Sequence, residues 1–274
     1  MANARSNPLG NPPLFGQHPP MSELAQEPIR PAATILMLRD QPQFEVLMVK
    51  RHHQIDFAAG ALVFPGGKSH AGDHDPAWAD HATGWESVGD DGAPLRIAAI
   101  REAYEETGVL LARDAAGRIY VGEAAIDVRA AVAEDRMAFL DVIRDLGLKL
   151  DLAALTIFAR WITPPLMTKR FDTWFYVAHA PLEQLAICDG HEAVDAEWIA
   201  PGEALALAAS GERKVIFPTR MNLQLLAESE SAEAAIETAR ARPLVTVEPW
   251  VDGPSLRIQA DAGYGAVSEP LSAL

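Results

Sequence analysis

Apolar and polar positions alternate along this chain in two different rhythms, and the change of rhythm marks its elements. Residues 32–39 and 44–52 are short, apolar, β-rich runs parted by Gln41-Pro42-Gln43, which predicts a hairpin. A further strand at 61–64 runs into the turn sequence Pro65-Gly66-Gly67. Residues 69–94 are polar and rich in glycine, and predict a loop with one short helix. From Leu95 the apolar spacing becomes helical, and Gly108 ends that helix as a left-handed cap.

The second half continues the mixture. Strands are expected at 109–113 and 118–122, on either side of an Asp-Ala-Ala-Gly turn, and a helix at 134–146. Apolar β-rich runs follow at 155–163, 172–180 and 193–201. Three helical stretches, 202–210, 221–229 and 231–241, precede one or two late strands within 243–261. Interleaved strands and helices predict an α/β layered fold with a mixed sheet. Residues 1–30, rich in Pro, Asn and Gly without periodicity, predict a flexible arm, and 231–274 a C-terminal extension packed on the core.

Composition narrows the function. The chain has 274 residues and a formal charge of −15, which argues against binding a nucleic acid polymer through a broad basic surface. A small anionic substrate is still allowed, because a divalent cation can supply local positive charge. Cys188 is the single cysteine, so no internal disulfide can form and a reducing cytoplasm is the default. No uncharged apolar run reaches the ~18 residues that would span a bilayer.

The chemistry concentrates in Arg101-Glu102-Ala103-Tyr104-Glu105-Glu106-Thr107-Gly108. At about 100° per residue, Glu102, Glu105 and Glu106 fall within an arc of about 100° on one helix face. Ala98 and Ala99 share that face, while Ile97, Ile100, Ala103, Tyr104 and Thr107 form the opposite, core-facing stripe. Arg101 stands one turn before Glu105, within reach of an ion pair. A solvated acidic face is the ordinary reading of such a run. It leaves unexplained why no lysine is interspersed, and why Glu106 sits at the helix end where the dipole disfavours negative charge. Hard carboxylate oxygens on one rigid face suit Mg²⁺ or Mn²⁺.

These residues resemble the Nudix hydrolases, whose box reads G-x5-E-x7-R-E-U-x-E-E-x-G-U, U being a bulky aliphatic residue. Arg101, Glu102, Glu105, Glu106 and Gly108 match its second half, with Val109 at the last U and Ala103 a small substitute at the first. At roughly 5–7% per residue type, five fixed positions coincide by chance about once per million sites. Gly67 lies six residues before Asp73, which stands where the family has its first glutamate. Residues 74 to 100, 27 in all, replace the family's seven, so 20 are inserted. Loop closure grows so slowly with length that the halves can still meet in space. The interrupted box, the preceding Arg51, Gly60 and Phe64-Pro65-Gly66-Gly67, and the stretches 161–178 and 217–228 are similar to coenzyme A diphosphatases.

The resemblance implies a Nudix-like α/β/α sandwich over 31–230 with an insertion at about 74–94. It implies cation-dependent hydrolysis of a pyrophosphate in a nucleotide-linked small molecule: coenzyme A or acyl-CoA, alternatively ADP-ribose, NADH or a nucleotide sugar. A non-catalytic nucleotide-binding scaffold is the reading from another class. Glu102, Glu105, Glu106 and the Gly67 carbonyl are the implied ligands of Mg²⁺ or Mn²⁺. Glu102 is a ligand or the general base, and Arg101 orients a glutamate. Gly66 lets the backbone turn beside the phosphates, and Arg51, Lys169 and Arg170 are candidate phosphate contacts, with an Arg170–Asp172 pair as the alternative. Asp73 pairs with Arg101 or belongs to the outer shell of the metal. A homodimer is also an expectation. His70, His74, His81 and Asp75 match no closed zinc pattern. Trp78, Trp85 and Trp161 are expected in the core rather than against a base, and Cys188 as an inert thiol.

Overall fold

A computed structural model describes residues 28–52, 59–123, 125–188 and 193–271. The expected arm at 1–30 therefore lies almost wholly outside the described residues. The strands are β1 (Arg30–Arg39), β2 (Glu45–Arg51), β3 (Leu62–Val63), β4 (Gly66–Lys68), β5 (Ala82–Thr83), β6 (Ala112–Arg113), β7 (Lys149–Asp151), β8 (Thr156–Ile162), β9 (Phe171–His179), β10 (Ala193–Ile199), β11 (Thr246–Val247), β12 (Trp250–Asp252), β13 (Ser255–Arg257) and β14 (Ser268–Pro270). The helices are α1 (Trp85–Thr107), α2 (Ile126–Ala133), α3 (Phe139–Asp145), α4 (Pro201–Ser210), α5 (Phe217–Leu226) and α6 (Ala232–Ala241).

The main sheet runs β10-β2-β1-β9-β8-β11, with β3 and β4 attached to β2 and β1. It is mixed: β1 pairs parallel with β9, whereas β1–β2, β2–β10 and β8–β9 are antiparallel. β1 reads as an unbroken apolar run because both its faces are covered. Ile35 and Met37 face a core built with α1, α3 and Tyr176, and Leu36 and Leu38 face one built with α5 and α6. The result is the expected α/β/α sandwich.

The hairpin β1–β2 is joined only near its turn, at Leu38↔Val46 and Arg39↔Glu45. Toward the other end the glycine-rich ribbon 62–68 lies between the two strands. β3 pairs with β2 at Val49↔Val63, and β4 pairs with β1 at Thr34↔Gly66 and Ala33↔Gly67. A Cβ on Gly66 would come within 2.5 Å of the Ala33 carbonyl oxygen, so only glycine allows this approach.

The expected loop 69–94 is more ordered than its composition suggests. It holds 3₁₀ turns at Ala71–His74 and Pro76–Asp80, then β5, and is already helical at Trp85. Gly89, at φ 70° and ψ 170°, breaks α1, and Pro94 follows soon after the restart, where its ring meets little of a preceding turn. β5 joins β7 and β6 in a separate three-stranded sheet, in which Leu150 and Ala112 feed the α1-side core.

Other elements also depart from expectation. The helix expected over 134–146 begins only at Phe139, because a turn with Asp135 at φ 55° follows a separate helix, α2. Of the strands expected at 109–113 and 118–122, only β6 and one Arg113↔Ile119 bridge form. The C-terminal residues are integral to the sandwich. α6 buries Ala232, Ala235, Ile236 and Ala239 in the second core, and β11 pairs with β8. No helix of the described residues is long and apolar enough to cross a membrane.

Candidate active site

The glutamate edge of α1 lies against the β4 ribbon and is not a solvated face. Glu102 and Glu106 are 6% and 3% exposed, and Arg101, among them, is 4% exposed. Ile97, Ile100, Ala103, Tyr104 and Thr107 are buried on the opposite side, as the helical period requires. Ala98 and Ala99 are buried as well, and their small side chains let helix and ribbon approach.

Arg101 organises the cluster. Its Nε donates to Asp73 Oδ1 at 2.9 Å and its Nη2 to Asp73 Oδ2 at 3.1 Å, a two-pronged pair. Nη1 donates to Glu102 Oε1 and to Glu105 Oε1, both at 3.0 Å, and Nη2 also donates to the Lys68 carbonyl at 2.8 Å. Burial by itself would lower the guanidinium pKa. The carboxylates of Glu102, Asp73 and Glu105 outweigh it and hold Arg101 above its ordinary value. Asp73 is 2% exposed and sits in the 3₁₀ turn Ala71–His74, where it also accepts from the His70 backbone N–H at 2.7 Å. Asp73 thus takes the first of the two roles expected for it, as the partner of Arg101. The pair joins the two halves of the interrupted motif across the insertion.

Gly66 and Gly67 form the floor beneath the glutamates. The Gly66 N–H donates to Glu106 Oε2 at 3.1 Å, which compensates a carboxylate placed at the unfavourable end of the helix dipole. A Cβ on Gly67 would stand 2.5 Å from the Glu102 carboxylate, so a side chain there would push that carboxylate out of its place. Sequence reasoning missed Arg129, which is buried in the Ala-rich helix α2 and belongs to no motif. Its Nη2 donates to the Glu105 carbonyl at 2.9 Å and its Nη1 to the Ile187 carbonyl at 2.8 Å. It therefore caps the last turn of α1 with positive charge, while Gly108, in the left-handed region, closes that turn through Tyr104.

The outlying candidates sit as follows. The connection 163–170 enters β9 at the end of the sheet where Lys68 leaves β4, since Arg30 pairs with Phe171 and Ala32 with Lys68. Lys169 is exposed on it. The Arg170 guanidinium is buried, donating to the Thr163 carbonyl at 2.9 Å and to Glu248 Oε1 at 2.6 Å. Asp172 is taken instead by Arg160, at 2.9 and 2.6 Å, so the alternative Arg170–Asp172 pair gives way to these two. Arg51 ends β2, half-buried, beside residues 53–58, which lie outside the described set.

The histidines are scattered over separate partners. His74 bonds Ser69, His70 lies near Asp135, and His81 accepts from Arg144, while Asp75 caps the second 3₁₀ turn. Trp78 and Trp161 are buried against Phe139 and Phe217, and Trp85 donates to Asp90. Cys188 packs half-buried against Val49, Ala61 and Val63.

Among the described residues no three His, Cys, Asp or Glu side chains already converge on one metal position. The donor set nonetheless fits a hard divalent cation. Three carboxylates share one rigid helix edge, and the Gly67 backbone passes so close to Glu102 that a side chain there would collide with it.

The chain is similar to several known proteins. Residues 79–224 match the family described as the NUDT19 Nudix domain, a span that includes Arg101 and all three glutamates. The human acyl-coenzyme A diphosphatase NUDT19 is 26% identical over 261 residues, covering 80% of this chain and 69% of the human protein. The protein of the same name from Gallus gallus is 26% identical over 280 residues, covering 81% and 74%. The crystal structure of a NUDIX hydrolase from Alicyclobacillus acidocaldarius superposes with a TM-score of 0.69 at 30% identity, covering 78% of this chain and 97% of that one.

Proposed function

The chain belongs to the Nudix hydrolase family, and on that premise we propose that it hydrolyses the pyrophosphate of coenzyme A or an acyl-CoA, using Mg²⁺ or Mn²⁺. The observation that carries the reading is the buried carboxylate edge of α1, ordered by Arg101 over the Gly66–Gly67 floor. The choice of coenzyme A draws on the relatives named acyl-coenzyme A diphosphatase.

Glu102, Glu105, Glu106 and the Gly67 carbonyl would hold the cation. When bound, it would neutralise charge on the pyrophosphate oxygens and acidify water at neutral pH. The protein's own residues do the rest. Arg101 fixes the Glu102 and Glu105 carboxylates from one nitrogen, so both are held in a set orientation. Gly66 and Gly67 leave the backbone bare, so phosphate oxygens can approach it. Glu102 is a ligand or accepts the proton of the attacking water. Water adds to one phosphorus, the bond to the bridging oxygen breaks, and two phosphomonoesters leave, one of them 3′,5′-ADP. Lys169 and Arg51 are the proposed phosphate contacts at the rim. Arg170, engaged with Glu248, is proposed to hold the 163–170 connection in place rather than to meet substrate.

A hydrolysis panel of coenzyme A, acyl-CoA, ADP-ribose, NADH and nucleotide sugars, each with Mg²⁺ and Mn²⁺, tests the proposal. Release of 3′,5′-ADP from coenzyme A substrates is the expected outcome, and a preference for ADP-ribose or NADH would replace the substrate while keeping the chemistry. Glu105→Gln and Glu106→Gln are each expected to lower turnover by two or more orders of magnitude with the fold retained. Near-normal rates in both would reject the site, and no hydrolysis of any member would favour the nucleotide-binding scaffold.

A further inference from the structure

A second cleft, of about 300 Å³, opens away from the glutamates, at the edge of β8 between α1 and the end of α6. Arg96 of α1, Arg240 of α6 and Arg242 just beyond it line the cleft, together with Leu155, Phe158 and Leu244. In the register Gly66↔Thr34, Ile35↔Tyr176, Tyr176↔Ile157, the cleft lies three strand spacings from the glycine floor, roughly 14 Å. Arg96 also precedes Glu102 by six residues, about 9 Å along the helix. The two sites are therefore distinct.

Three arginines line this cleft, Arg96 from the α1 side of the sheet and Arg240 and Arg242 from the α6 side, in a protein whose formal charge is −15, so the clustering does not reflect a generally basic surface. No Asp or Glu lines the cleft, and among the described residues none of the three arginines forms an ion pair with a carboxylate. Two of them are fixed in place. Arg96 lies over the Tyr176 ring at 5.0 Å and donates to the Gly92 carbonyl, and Arg242 lies over the Phe158 ring and donates to the Phe158 carbonyl. Arg96 Nε and Arg242 Nη1 are buried with no hydrogen-bond partner. Burial lowers both guanidinium pKa values, an effect that Tyr176 for Arg96, and Tyr264 and Glu228 for Arg242, only partly offset. Cations taken from water and left short of acceptors call for an anion.

We propose that this cleft binds the phosphoryl group of a small phosphomonoester, separately from the pyrophosphate site. A phosphoryl group presents three oxygens in different directions, toward Arg96 on α1 and toward Arg240 and Arg242 at the end of α6, whereas a planar carboxylate presents two. Leu155, Phe158 and Leu244 would cover an apolar body attached to it. The volume suits a ligand of that size and lies at the lower bound for small-molecule sites.

Isothermal titration of the full chain at low ionic strength in EDTA, with phenyl phosphate and with inorganic phosphate as probes, tests the proposal. Saturable one-to-one binding is expected, with at least tenfold weaker affinity in Arg96→Gln and in Arg240→Glu. Tighter binding of phenyl phosphate identifies a carried phosphoryl group, and equal affinities identify free phosphate as the source. Circular dichroism reports whether Arg96→Gln folds. If it does not, Arg240→Glu, an exposed side chain, decides alone. Absence of saturable binding of both probes, or binding unchanged in the folded variants, overturns the proposal.

Discussion

Replacing Arg101 by glutamine tests the architecture most directly. The side chain makes five hydrogen bonds, to Asp73 twice, Glu102, Glu105 and the Lys68 carbonyl. Glutamine keeps some of the polarity but removes the charge and the fork. Asp73, 2% exposed, and Glu102, 6% exposed, would then be buried anions without their cation. Breaking a buried pair in this way costs about 3–5 kcal/mol, which for a chain of this size lowers Tm by roughly 10 °C. Denaturant unfolding of wild type, Arg101→Gln, Asp73→Asn and the double variant, in EDTA, gives the cycle. The double variant should cost about 1–3 kcal/mol less than the sum of the single variants, since removing both charges leaves neither stranded. Turnover should fall at least tenfold in the folded fraction, because Glu102 and Glu105 lose the donor that sets them. A loss below about 1 kcal/mol in Arg101→Gln, or strict additivity with Asp73→Asn, would refute the reasoning.

Three further outcomes follow from the same geometry. Gly67→Ala places a methyl 2.5 Å from the Glu102 carboxylate and should reduce kcat at least tenfold in a substrate assay, with a smaller loss of stability. Arg129→Gln strands the Glu105 and Ile187 carbonyls, should cost about 1–3 kcal/mol, and should speed amide exchange in the last turn of α1 and at Ile187. Burial pushes Tyr104 and Tyr176 up to about 12, so between pH 10 and 12 the folded chain retains protons that the unfolded chain releases. Stability, fully present below pH 10, is lost as pH rises through that window, by up to about 2–3 kcal/mol per tyrosine, as denaturant midpoints measured against pH would show.

Much of the site was legible because a helical period and a fixed set of residue types coincide. The spacing of Glu102, Glu105 and Glu106 placed three acids on one edge, and Gly108 marked where that edge ends. The sheet strands 30–39, 156–162 and 171–179 announced themselves by apolar runs covered on both faces. What the sequence hid was tertiary. Residues 69–94 look like loop because Gly, Asp and His dominate, yet Trp78 anchors them in the core through Phe139 and the Gly72 carbonyl. Arg129 was invisible because its partners are backbone carbonyls, which carry no signature in the sequence. Arg170 looked like a rim cation because Glu248, its partner, lies far along the chain.

The Arg101–Asp73 clamp has one more consequence. A motif whose parts are stapled through a buried ion pair no longer depends on how many residues run between them. The intervening stretch can grow, shrink or lend a strand to a separate small sheet, as it does here with β5, without moving the reactive groups. Spacing, the property by which such boxes are usually read, is then the least constrained part of the pattern, and the carboxylate that receives the arginine is the part that must survive.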